Sequence, residues 1–414
     1  MNTRVRITAG VLALSAAGLL AVAVPGGAAP MAAVAGPMAV DDLELAPTQN
    51  EINSFKSHIA PLTPAPDNVG NDWAQHAGGQ RVKAMGILYE ISGDTAILDK
   101  MIGFCDAVHS QRNDLAAAPV GQHRLWTGGI DPAWPNNRDA PVETGGEQGD
   151  PVGHLGYCAR LILETPAIWN RNVSFGDPRG YGATYLARAK TFLASGDRAV
   201  DGHILSRLLD LTRGGNRQYF ARDAAYQPGG EVPWNQQAMF NYGFHNLAAA
   251  HRILNDAPAR VTRYEGIVKA SVDWFFAKAQ TVTSPQGRPA YRWGYKPSFG
   301  TLEDNSHGQL DVHGLHMLYA SGRYGITAAM MTPLANTFLD IMTKSSTKFS
   351  GKVDGTDGTG NSAPTSYIRA GWLLLAEFRT DRHHFMMDVN FNEGGTTGSI
   401  DQWSRLMLVK DRRW

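Results

Sequence analysis

Amphipathic runs of helical period, separated by short Ser/Gly/Asp turns, constrain this chain more than any other feature. Between Gln80 and Ile91 the apolar residues Val82, Met85, Leu88 and Ile91 recur close to the turn of an α-helix. Ser92-Gly93-Asp94 then interrupts, and Ile97, Met101, Ile102 and Cys105 open a second run. The same punctuation returns at Ser195-Gly196-Asp197 and Ser321-Gly322-Arg323. Glycine suits the left-handed residue that follows a helix end, and serine or aspartate can cap the helix after it. The spacing predicts further helices over 49–59, 152–163, 182–193, 236–254, 261–279, 309–320, 328–342 and 367–379. Strand signals are short, the best being 290–295. Helix, tight turn, helix, longer loop is the grammar of paired antiparallel helices, which stack as a solenoid or close on themselves. The expected fold is mainly all-α, an (α/α) toroid or incomplete barrel with few short strands.

The chain begins like an exported protein. Arg4 and Arg6 precede an apolar run from Ile7 to Val24, and Ala33-Val34-Ala35 is a small-residue cleavage pattern. Residues 1–35 are therefore read as a secretory signal, 36–72 as a linker or N-terminal extension, and 73–414 as one catalytic domain, secreted to the periplasm or outside the cell. No later stretch is long and apolar enough to span a bilayer. Lys plus Arg and Asp plus Glu each total 38, so the formal charge is zero and nothing supports a nucleic-acid partner. Contact with a polyanion would have to come from a local cleft. Cys105 and Cys158 are too few for a disulfide scaffold; one bridge and two buried thiols both remain open.

The loops carry chemistry. Arg288 to Asp311 gathers Tyr291, Arg292, Trp293, Tyr295, Glu303, Asp304 and His307. Aromatic faces suit sugar rings, and the planar arginine fork suits a carboxylate. A tyrosine beside arginine or histidine can have its phenol pKa lowered, which would make it a base. Pro233-Trp234-Asn235-Gln236-Gln237 opens a helix, where Asn235 is either a plain cap or a neutral donor beside an anion held at the helix N-terminus. His245 lies on a stripe with Gln237 and Asn241. A long loop, 122–153, holds Trp126, Trp134, Glu143, Glu147, Gln148 and Asp150, and its content favours binding. His307, Asp311, His313 and His316 match no strong metal-ligand spacing, so no metal or cofactor is expected. Nor is there a phosphate loop, a dinucleotide fingerprint or a nucleophile elbow.

With these residues in view, the sequence resembles helical-toroid polysaccharide lyases, most of all polysaccharide lyase family 38 and its alginate- or glucuronan-cleaving relatives. The matching pieces are Pro233-Trp234-Asn235-Gln236, Tyr291-Arg292-Trp293-Gly294-Tyr295, Glu303 to Gly308 and Glu143 to Asp150. The resemblance implies β-elimination of a uronic-acid polymer. Asn235 with Arg292 would neutralise the uronate carboxylate, and Tyr295 would carry the proton, either with His307 or His245 as the base or as both base and acid itself. Many relatives place histidine directly after the asparagine; Gln236 stands there in this chain. Trp126, Glu147, Gln148, Gln236, Arg288, Tyr291, Trp293 and Glu303 would bind the polymer. The expected partner is thus an acidic polysaccharide met by a monomer, with no nucleic acid and no membrane once the signal is removed.

Two alternatives stand beside this one. A glycoside hydrolase on the same fold would use paired carboxylates from Glu303, Glu143 and Glu147. A non-enzymatic carbohydrate-binding solenoid would use Trp126, Trp134 and Trp293 as stacking platforms.

Overall fold

Thr48 starts the first helix by a reciprocal cap: its hydroxyl accepts from the Glu51 amide, and the Glu51 carboxylate accepts from the Thr48 amide. The computed structural model describes residues 35–413, so the expected signal sequence lies outside the described residues. The helices are α1 (Gln49–Ile59), α2 (Gly70–Ala74), α3 (Ala77–Ser92), α4 (Thr95–Ser110), α5 (Gly149–Leu163), α6 (Tyr185–Ala199), α7 (Trp234–Leu254), α8 (Pro258–Lys278), α9 (Asn305–Ala320), α10 (Ala328–Asn336), α11 (Ala370–Leu373), α12 (His383–Asp388) and α13 (Ile400–Arg413). The chain is mainly helical. Among the described residues strands occur only as short antiparallel pairs, such as Gln280–Thr283 with Pro289–Arg292.

Several turns behave as the sequence predicts. Gly93 and Gly322 adopt left-handed φ values of 64° and 67° after α3 and α9. Asp94 caps α4 through the Ala96 amide at 2.9 Å, an interaction worth about 1 kcal/mol. Ser195-Gly196-Asp197 does not end a helix. α6 runs through it and continues in wider turns over Val200–Leu208. Gly196 serves packing instead, since a Cβ there would meet Leu247 Cδ2 at 2.8 Å.

Packing places six helices in a closed circuit of contacts. α3 packs on α5, α5 on α7, α7 on α9, α9 on α11, α11 on α13, and α13 returns to α3. α4, α6 and α8 back α3, α5 and α7. α5 and α7 approach closely. A Cβ on Gly149 would lie 2.2 Å from the Met239 carbonyl carbon, and one on Gly153 would lie 2.0 Å from Tyr242. That seam draws Asp150 toward the start of α7.

Residues 36–72 are not a free tether. Met38–Val40 pairs with Gly395–Thr397, and Trp403 donates to the Ala39 carbonyl at 2.7 Å. Glu51 of α1 holds Lys410 of α13 at 2.6 and 2.8 Å, both side chains fully buried. Cys105 and Cys158 are free buried thiols. No helix among the described residues is long and apolar enough to cross a membrane.

Candidate active site

The first turns of α3, α9, α11 and α13 meet around a cleft of about 180 Å³. Its wall includes Gln80, Lys83, His307, Gln309, Arg369 and Arg405. Asp304 caps α9: one oxygen accepts the Ser306 and His307 amides at 2.8 Å, and the other accepts from His307 Nδ1 at 2.8 Å. Burial opposes both charges, but the mutual hydrogen bond outweighs it. The Asp304 carboxyl is held below its usual range and the His307 imidazolium is favoured. The Tyr295 ring lies 5.0 Å from that of His307, centre to centre. The Tyr295 carbonyl accepts from the Trp234 amide at 3.3 Å, which ties this loop to the start of α7.

Burial, with the charges of Tyr226, Glu303 and Asp311 nearby, raises the Tyr295 phenol pKa. The expectation of a lowered phenol is therefore reversed, chiefly because the phenol is buried, with the carboxyls around it adding to the rise. Tyr295 is a neutral O–H at ordinary pH, suited to giving a proton rather than taking one.

Below the cleft, Asn235 lines a narrow void of about 20 Å³ with Lys83, Asp150, Tyr242 and His313. Its Oδ1 is buried without a hydrogen-bond partner. Lys83 bonds both Asp150 oxygens, at 3.0 and 2.9 Å. Arg405 is paired with Asp401 at 3.2 Å. Among the described residues no carboxylate pairs with Arg369, and its Nε is buried without a partner.

Asn235, Tyr295, His307 and Glu303 thus lie in one neighbourhood, whereas most of the other sequence-predicted residues are dispersed. Arg292 is exposed and bonds Gln280 at 2.9 Å; its strand turns it away from the cleft. Arg288 lies 3.8 Å from Asp340. Tyr291 packs edge-on to Phe276. Trp293, read as a sugar platform, is buried against Phe275 and Trp372, as is Trp134 elsewhere in the core, so neither offers a face to a ligand. Trp126 packs on His203. Gln148 clamps the Trp134 backbone at 2.8 and 2.7 Å, and Glu147 accepts from the Gly145 amide. These contacts organise the 122–153 loop from within. Gln236 donates to the Tyr226 hydroxyl at 3.0 Å. His245 is ten residues beyond Asn235 on α7, roughly 15 Å along the axis at 1.5 Å per residue, and faces a different cavity.

Glu303 and Asp311 form a buried carboxyl pair, with Trp293 donating to Asp311 at 2.9 Å. Burial raises both, Glu303 strongly and Asp311 to about 6, so the pair keeps a proton above the usual carboxylate range. A raised carboxyl contributes stability that is complete below its unfolded pKa and fades as pH rises through the folded value. The wild-type protein should therefore lose stability as pH climbs from mildly acidic to alkaline. Glu303→Gln, a permanent donor to Asp311, should flatten that decline. Urea midpoints across this range check it; parallel slopes for both proteins would contradict it.

Glu303, Asp304 and His307 place one ligand atom each within 4.8 Å of one another, close enough for a divalent ion. Within the group Asp304 already holds His307, while Glu303 Oε2 lies buried near Asp311 without a hydrogen-bond partner.

Lys83, Arg369 and Arg405 escaped the sequence reading, and His313 entered it only as a candidate metal ligand. Arg369 carried a usable signal: a cation immediately before a helix start opposes the helix dipole and asks for a reason. Lys83, in an otherwise apolar stretch of α3, carried another. Comparison with known protein families, with curated proteins and with solved structures found no match.

Proposed function

We propose that this protein is a polysaccharide lyase of the (α/α)-toroid type, cleaving a uronic-acid polymer by β-elimination. The observation that carries this reading is Arg369: a guanidinium without a carboxylate partner, lining the same cleft as His307. A uronate carboxylate is the complement it lacks. Arg369 replaces Arg292 in the role of carboxylate ligand. The closed circuit of helices supports the toroid, and the family resemblance of the Asn235, Tyr295 and His307 segments supports the chemistry.

The roles follow from charge. The C5 proton of a uronate is weakly acidic while its carboxylate keeps full charge. Arg369 and the Asn235 amide, deeper in the site, would bond that carboxylate and strengthen their hold as negative charge moves onto it in the enolate. One such donor is worth about 3 kcal/mol. His307, oriented by Asp304, accepts the C5 proton once its imidazole is neutral. The Tyr295 phenol protonates the departing O4 oxygen. Because Asp304 raises the His307 pKa, the basic form is gained as pH rises through that raised value. The expected rate therefore climbs on the alkaline side of an ordinary histidine profile. In Asp304→Asn the limb moves to lower pH while the maximal rate falls. A pH–rate profile with no histidine limb, or one unmoved in Asp304→Asn, would contradict the assignment.

Product analysis separates this reading from hydrolysis. Mass spectrometry of digested alginate or glucuronan should find non-reducing ends lighter by one water than hydrolytic ends. Saturated products would transfer the case to a hydrolase. The hydrolase reading has less support: Glu303 is buried in its pair with Asp311, and Glu147 is spent on the loop backbone.

A further inference from the structure

A second cavity lies apart from the cleft. It measures about 310 Å³ and sits among the last turns of α3, α5, α9 and α13, with Ala320, Asp411 and Arg412 exposed at its rim. Lys83 and His313 separate it from the cleft and belong to the walls of both.

Its wall has two characters. Ile87, Ile91, Met317 and Leu408 make an apolar side. The same wall carries three imidazoles with free ring nitrogens. His245 uses only Nδ1, toward the Tyr324 hydroxyl at 3.0 Å. His316 uses only Nε2, toward Glu377 at 2.8 Å; a carboxylate can only accept, so Nε2 carries the proton and Nδ1 is a free acceptor. His313 has no hydrogen-bond partner among the described residues and lines the cavity directly. Burial lowers all three, His245 to about 3, so they are neutral. The cations in the wall are already matched: Lys83 by Asp150, Arg160 by Glu90 at 2.6 Å, and Arg412 by Glu377 at 2.7 Å. The cleft, by contrast, has an unmatched guanidinium.

We propose that this cavity is a second binding site, taking an uncharged hydroxylated ring of monosaccharide size. Neutral imidazoles meet hydroxyl groups with both donors and acceptors, the apolar side meets the C–H face of such a ring, and the matched cations give an anion no free counter-charge. The volume is at the small end of ligand pockets. This site does not depend on the lyase reading.

The test is nitrogen NMR of histidine side chains in the full-length exported protein, titrated separately with glucose, mannose, galactose and glucuronate. At least one neutral sugar should shift the ring nitrogens of His245 and His316. Ala320→Trp, at the exposed rim, should weaken that response at least about tenfold, while Arg369→Ala leaves it unchanged. Glucuronate should instead shift His307, and should still do so in Ala320→Trp, which shows that the variant is folded. No response to any neutral sugar, or a response that survives Ala320→Trp, would overturn the second site. Failure of the glucuronate response alone would count against the cleft assignment and leave this site standing.

Discussion

Replacing Tyr295 with phenylalanine should cost about 10²–10⁴-fold in turnover, the range for losing one positioned proton donor, and leave the fold intact. The two halves of that expectation have separate grounds. The Tyr295 ring is held against His307, and its backbone is bonded to Trp234 and Thr301, none of which the substitution touches. The hydroxyl itself has no hydrogen-bond partner among the described residues, so removing it orphans no buried group. Its raised pKa keeps it protonated at ordinary pH, where only a proton donor is lost. Progress curves together with urea midpoints check both halves. A variant with near-wild-type rate would remove Tyr295 from the reaction, and one that unfolds would show the hydroxyl to be structural.

The second large effect concerns stability. Lys410→Met should destabilise the protein by about 3–5 kcal/mol, because it strands the fully buried Glu51 carboxylate. Glu51 would still accept from the Thr48 amide at 2.8 Å and the Asp41 amide at 3.1 Å, which softens but does not cancel the loss of a cation. Pairing Lys410→Met with Glu51→Gln should recover much of the deficit, since the pair is costly chiefly when half of it remains. Denaturant unfolding of the single and double variants measures this. A single-variant loss below about 1 kcal/mol would mean that water reaches Glu51. The stakes are architectural, because this contact joins α1 to α13 and so fastens residues 36–72 to the body.

Local features were legible in the sequence and distant ones were not. Apolar periodicity located most helices, and Gly93, Asp94 and Gly322 marked real boundaries, because each depends only on neighbours a few residues away. Ser195-Gly196-Asp197 misled: the same three letters can end a helix or admit Leu247 against its flank, and only the packing partner decides. The Tyr291–Tyr295 segment was legible as unusual but not in its division of labour. Tyr291, Trp293 and Tyr295 alternate along the chain, a spacing that would share one face of an extended segment, yet the core took Trp293 and left Tyr295 beside His307. The basic wall of the cleft was the least legible part. Lys83, Arg369 and Arg405 lie on α3, before α11 and on α13, and only the return of α13 onto α3 brings them to His307. No spacing rule spans that distance.

The central claim is that the cleft holds a uronate and eliminates across its ring. Its most direct test is ultraviolet absorbance during incubation of the purified protein with alginate, mannuronan, guluronan and glucuronan, run beside Arg369→Ala. Elimination alone creates a conjugated unsaturated uronate. The account predicts a steady rise with at least one polymer and a rise at least about a hundredfold slower for the variant, the scale of one charge-stabilising contact. A flat trace with every polymer, or a variant as fast as the wild type, would contradict it.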